Sequence, residues 1–142
     1  MKFAKATFII AGIWGIAVLT PLYFLFDITG RQYPVPTEYP QFYYGFLSIT
    51  MAWQIAFLII GSNPVRFRPL MIAAIIEKAG YVLTLLLLHG AGRLSVLDTT
   101  PAIPDSILGI LFVIAFVKTR RLEPRGSAVP RTTEPSATRG IA

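Results

Sequence analysis

The sequence predicts an all-α integral membrane protein: a four-transmembrane-helix antiparallel bundle with a disordered C-terminal tail. Three observations carry that expectation. Four long apolar stretches occupy most of the 142 residues, 54% of the residues are hydrophobic against 14% charged, and the lysines and arginines gather on one side of the alternation these stretches create. A soluble domain of this size needs more charge to cover its surface.

The stretches read as spans at 8–26, 41–61, 70–88 and about 100–117. At about 1.5 Å of rise per residue the first three each cover roughly 28 to 32 Å, close to the ~30 Å hydrocarbon thickness, so each crosses once. Strands do not fit, because a spanning strand needs only about ten residues and alternates inside with outside. Residues 1–118 therefore form the transmembrane domain.

In the first span, Lys2 and Lys5 precede the apolar run in the manner of a signal peptide. The run is long for such a segment, and Val18-Leu19-Thr20-Pro21 has no small-x-small cleavage site, which predicts a retained helix. Pro21 predicts a bend near its outer end. Thr7, Ala11 and Gly15 share one face of this helix, and Ser48, Ala52 and Ala56 share one of the second. That spacing lets helices approach closely in lipid.

The connections differ in character. Residues 27–40 contain Pro34, Pro36 and Pro40, an extended, turn-rich external segment. Tyr33, Tyr39, Phe42, Tyr43 and Tyr44 around it read as an interfacial aromatic belt, with a ligand-contacting lip as the alternative. The turn from Ser62 to Pro69 pins the second and third spans as antiparallel neighbours. Residues 119–142, rich in Pro, Thr, Ser, Arg and Gly, cannot bury enough surface to fold alone and read as a disordered basic cytoplasmic tail.

Charge sets the orientation. Lys2, Lys5, Arg66, Arg68, Lys118, Arg120 and Arg121 fall on one side, whereas the other holds Arg31 and Arg93 together with Asp27, Glu38 and Asp98. The positive-inside rule then places both termini in the cytoplasm, as an even span count requires. The net charge of +6 is explained by this inner face, not by nucleic acid. Arg66, Arg68, Lys118, Arg120 and Arg121 are the expected contacts to anionic lipid head groups. The chain has no cysteine and one histidine, His89, so thiol chemistry is excluded and neither a metal nor another cofactor is expected. No serine-histidine-acid set, phosphate loop or other catalytic signature is present, and no catalytic residue is assigned.

The anomaly is Glu77-Lys78 inside the third span. Eight residues, Pro69 to Ile76, separate the pair from Arg68, which puts it about 12 Å deep. A lysine at the centre of a span costs about 2.5 to 3.5 kcal/mol, and the span's Leu, Ile and Val residues return only roughly 3 to 6 kcal/mol. Both charges need shelter. Adjacent residues point about 100° apart on a helix, so the two are not expected to face each other. Glu77 shares a stripe with Gly80, Tyr81 and Thr84, and Gln54 is the nearest expected cross-helix donor. Lys78 is expected to reach toward Asp105 of the fourth helix. Asp105, following Pro104 at a helix start, also suits the helix dipole, and Ser106 and Gly109 fit a close helix contact. Glu77, Lys78, Gln54, Tyr81 and Asp105 thus form a candidate buried polar site, either a register-fixing network or a functional one.

The turn Asn63-Pro64-Val65-Arg66-Phe67-Arg68-Pro69-Leu70 running into Glu77-Lys78, preceded by Phe42-Tyr43-Tyr44-Gly45 and followed by Asp105 and Gly109, resembles a group of small, largely uncharacterised bacterial four-helix membrane proteins. The resemblance covers roughly residues 40 to 118 and implies a bacterial inner-membrane location. Small multidrug-resistance transporters fit less well, since their essential glutamate lies in the first helix. The acidic and histidine pattern of the sterol-isomerase-like family has no residue-by-residue match here. The sequence therefore predicts a non-enzymatic helical module or accessory subunit, working as a homo-oligomer or with a membrane-complex partner. A proton-coupled small-solute transporter is the alternative, and a lipid-binding protein or isomerase using Glu77 and Asp105 the third.

Overall fold

The computed structural model describes residues 1–26 and 40–120. Among them every regular element is a helix: α1 (Lys2–Leu22), α2 (Pro40–Ser62), α3 (Arg68–Gly90), the short α4 (Val96–Thr99) and α5 (Ala102–Arg120). Helices α1, α2 and α3 and the stretch Val96–Arg120 are each long and apolar enough to cross a membrane. The proline-rich segment with Tyr33 and Tyr39, the tail expected to be disordered, and Arg121 lie outside the described residues.

Three boundaries differ from expectation. α1 starts at Lys2 because lysine is a good helix former and does not delay the helix to the apolar run. It stops at Leu22, one residue past Pro21, where the Tyr23 and Phe24 N–H groups donate to the Thr20 and Pro21 carbonyls, so the proline stands in the last turn and does not bend a longer helix. The fourth span is interrupted: α4 ends at Thr99, Thr100 and Pro101 form a turn, and α5 then runs two residues past the expected limit at 118. Its last turn is packed, not frayed. Thr119 is buried, donates to the Ala115 carbonyl at 2.8 Å and lies 3.9 Å from the Met71 sulfur.

Packing is pairwise. Gly61 meets Ile9, Gly12 meets Leu58, and the Tyr43 hydroxyl donates to the Leu22 carbonyl at 2.8 Å, so α1 and α2 run in opposite directions. Met71 with Thr119, Arg68 with Phe116 and Lys78 with Asp105 show the same for α3 and α5. α1 also packs on α5, whereas α2 and α3 touch sparsely. Phe8, Phe57 and Phe112, from three helices and all fully buried, make the centre of the core. The Phe8 and Phe112 rings stack with centroids 4.2 Å apart, and Phe57 meets Phe112 edge-on at 5.0 Å.

Close approach of α1 to α2 depends on glycine. A Cβ on Gly12 would stand 2.7 Å from a Leu58 methyl and 2.9 Å from the Gln54 backbone oxygen. Of the stripe Thr7, Ala11 and Gly15, Gly15 meets Gln54 of α2, while Thr7 and Ala11 are buried. In the packing stripe expected on the second helix, Ser48 and Ala52 are exposed; α2 turns a face bearing Gln54, Leu58 and Gly61 toward α1. Large apolar side chains such as Ile10, Ile13, Ile49, Ile76, Leu87 and Ile110 point outward, which suits oil around the helices and not water.

The ends differ sharply. Contacts of Lys5 with Gly61, Arg68 with Phe116 and Lys118 with Phe3 bring Lys2, Lys5, Arg66, Arg68, Lys118 and Arg120 to one end, with no acid there among the described residues. Arg68 is more than a solvated charge: its Nε donates to the Phe116 carbonyl at 3.5 Å and its guanidinium lies 4.2 Å from the Phe116 ring centroid. The other end gathers Tyr23, Phe26, Tyr43 and Tyr44, with ring contacts of 5.0 to 6.3 Å.

Candidate functional site

Midway along α3, Lys78 is 5% exposed and holds two acids at once. Its Nζ donates to Asp105 Oδ1 at 3.1 Å and to Glu77 Oε1 at 3.4 Å. The expectation that Glu77 and Lys78 would not face each other is corrected here: their Cα–Cβ bonds diverge, but the long lysine stem turns its ammonium back to the neighbouring carboxylate. The same ammonium stands 5.5 Å from the Phe57 ring centroid, which adds a cation–π contact from α2. Gly109 lies opposite, where an added Cβ would sit at 3.5 Å from the Lys78 Cβ, and its lack of a side chain leaves α5 room beside the lysine.

Glu77 is only partly satisfied. Its Oε2 lies 3.4 Å from the Lys78 ammonium, near enough for Coulomb attraction, yet that buried oxygen has no directed hydrogen bond among the described residues. Asp105 sits in the first turn of α5, where the helix dipole favours an acid. The helix begins at Ala102, so Pro104 is its third residue and not its first. Ser106 donates to the Ala102 carbonyl at 2.7 Å and ties that turn together.

Gln54 does not reach Glu77. It is 4% exposed, its Nε2 donates to the Thr50 carbonyl at 3.1 Å within its own helix, and its oxygen rests against Gly15. The physical reason is that α2 leans on α1 and leaves a gap before α3. That gap is a cavity of about 290 Å³ bordered by α1, α2, α3 and α5. Glu77, Lys78, Asp105, Gln54, Thr50 and Tyr81 supply its polar lining; Leu19, Phe46 and Leu108 are among its apolar walls. Pro101 and Pro104, on either side of the start of α5, border it as well. Interrupted backbone at membrane depth persists where it lines a cavity. A second groove of about 340 Å³ lies along α3 and α5, and Lys78 and Asp105 border both spaces.

The charge count gives the site its chemistry. Two carboxylates share one ammonium, so with all three ionised the cluster carries one uncompensated negative charge among apolar helices. A charge left in that state is costly. A proton or a bound cation makes the cluster neutral. No three His, Cys, Asp or Glu side chains converge as a metal site requires among the described residues. His89 is engaged elsewhere, its Nδ1 3.0 Å from the Leu94 carbonyl oxygen.

Trp14, Gly15, Thr50 and Phe57 were not assigned to the site by their sequence positions. Phe57 carries no signal beyond being apolar, whereas Pro101 together with Pro104 inside an apolar stretch is a legible sign of a broken span. Comparison with known proteins finds no matching family, no similar curated protein and no similar solved structure.

Proposed function

We propose that this chain is a four-span antiparallel bundle of the bacterial inner membrane with both termini in the cytoplasm, acting as a non-enzymatic binding module. Its site is the cavity that ends on Glu77, Lys78 and Asp105. The basic groups gathered at one end support the orientation, because lysine and arginine in short loops favour the cytoplasmic side. They also support contact with anionic head groups through Arg66, Lys118 and Arg120. The choice of a bacterial inner membrane follows the resemblance read from residues 40 to 118 and is part of the proposal. A register-fixing knot accounts for the Lys78–Asp105 pair alone, but it leaves the cavity and the unsatisfied Glu77 oxygen without a role. A cavity of about 290 Å³ bordered by two carboxylates that share one ammonium is the observation that carries the binding reading.

A proton-coupled transporter is the second reading. It is favoured by one feature: Lys78 and Asp105 border both the cavity and the lateral groove, so the pair stands between two openings. An isomerase has less support, since the Lys78 ammonium occupies the space between the carboxylates where a substrate would sit.

Native mass spectrometry of the protein released from its membrane tests the module. Wild type is expected to retain a small bound molecule that a Glu77→Gln/Asp105→Asn variant of equal thermal stability lacks. Identical empty spectra for both would remove the binding reading. Proton movement into dye-loaded proteoliposomes, present with wild type and absent with Glu77→Gln, would select transport over plain binding.

A further inference from the structure

The cavity is built unequally. Its inner part holds the two carboxylates and the single ammonium, and its remaining border is largely apolar, with Trp14 and Phe46 as broad aromatic surfaces. The three titratable groups of α3 that face the space are Glu77, Lys78 and Tyr81; α5 adds Asp105; α1 and α2 add none, only the neutral Thr50 and Gln54. An occupant therefore meets a site that lacks one positive charge at one end and presents oil-like walls at the other. Two carboxylates and one ammonium border the space, so the imbalance at the cluster is one of positive charge. A volume of about 290 Å³ fits a compact small molecule.

From this arrangement we propose that the cavity binds a protonated amine with a compact apolar body. The ammonium pairs with the Glu77 carboxylate and, with Glu77, Lys78 and Asp105 all ionised, neutralises the cluster, and the body lies between Trp14, Leu19 and Phe46. This rests on the reading of the cavity as a binding site and adds the chemical class of its occupant. An acidic ligand is disfavoured because, with all three groups ionised, it would add a second negative charge to a cluster that already has one in excess. A neutral ligand of the same shape would gain the apolar contacts alone and leave a proton to balance the cluster.

Trp14 reports occupancy directly. The chain has two tryptophans, and Trp53 packs against the core and does not border the cavity, so Trp53→Phe leaves Trp14 as the sole indole. In phosphatidylcholine vesicles this protein is titrated with 1-adamantylamine, 1-adamantanol and 1-adamantanecarboxylate, three probes of one shape and different charge. The amine is expected to give a saturable Trp14 response at least about tenfold tighter than the alcohol, as a charge-assisted hydrogen bond gives. That preference is expected to vanish in Glu77→Gln and in Asp105→Asn, each of which balances the cluster; two variants guard against one failing to fold. Equal affinity for amine and alcohol, or preference for the carboxylate, overturns the amine assignment while leaving a binding site in place. No saturable response to any probe also overturns it, and the binding reading then stands or falls on the native mass spectra.

Discussion

Lys78 and Asp105, twenty-seven positions apart in the chain, meet at 3.1 Å between Nζ and Oδ1 and join the middle of α3 to the first turn of α5. With Glu77 also on Lys78, the cluster turns α3 and the turn-broken last span into one electrostatic unit. Fold and site are then coupled, because the residues that hold α3 to α5 are those that face the cavity.

Removing the lysine is the severe change. Lys78→Met leaves Glu77 and Asp105 facing each other's charge without a counter-ion, and loss of one member of a buried ion cluster costs about 3 to 5 kcal/mol. A large fall in thermal midpoint in detergent is expected. The triple variant Lys78→Met/Glu77→Gln/Asp105→Asn removes every charge and is expected to recover most of it. If Lys78→Met melted with wild type, the ammonium would not be holding the acids.

Glycine at the α1–α2 crossing is a second, separate dependency. In Gly12→Ala the new methyl meets the Gln54 backbone oxygen, placed at 2.9 Å, which cannot rotate away. Overpacking of this kind costs about 1 to 3 kcal/mol. Gly80→Ala is the matched control, since nothing lies within 4 Å of its added Cβ; its stability is expected to be unchanged or raised by up to about 1 kcal/mol through helix propensity. Differential scanning of the two variants side by side gives the comparison, and equal behaviour contradicts the close crossing.

Orientation is open to a clean labelling test, because the natural sequence contains no cysteine. Asn63→Cys lies in the exposed turn at the basic end, and Arg93→Cys lies in the exposed connection at the other. A membrane-impermeant maleimide added to intact spheroplasts is expected to modify position 93 and to reach position 63 only after lysis. The reverse pattern would invert the topology.

Much of this architecture was legible in the residues. Span number and the helical class follow from apolar length, and the segregation of Lys2, Arg66, Arg68, Lys118 and Arg120 to one end follows from loop charge. The approach of Lys78 to Asp105 was legible from depth alone, since helical rise fixes both positions along the axis. What depth does not give is rotation about each axis. Gln54 sits at the right level to meet Glu77, yet α2 is turned so that its amide packs on Gly15, and the space between becomes the cavity. Side-chain length was the other omission: residues pointing 100° apart meet when one of them is a lysine. The break at Thr100 and Pro101 came from local turn chemistry that a hydropathy average over the fourth stretch conceals.

The account turns on an acid sheltered in oil with one oxygen unanswered. Treatment of the reconstituted protein with a hydrophobic carbodiimide, which reacts with neutral carboxyl groups in apolar surroundings, followed by mass-spectrometric mapping, addresses that point most directly. A single adduct on Glu77, absent in Glu77→Gln and not formed by a water-soluble carbodiimide, is the predicted result. Unmodified Glu77 with the hydrophobic reagent, or equal modification of Glu77 by the water-soluble one, would contradict a buried, charge-deficient site.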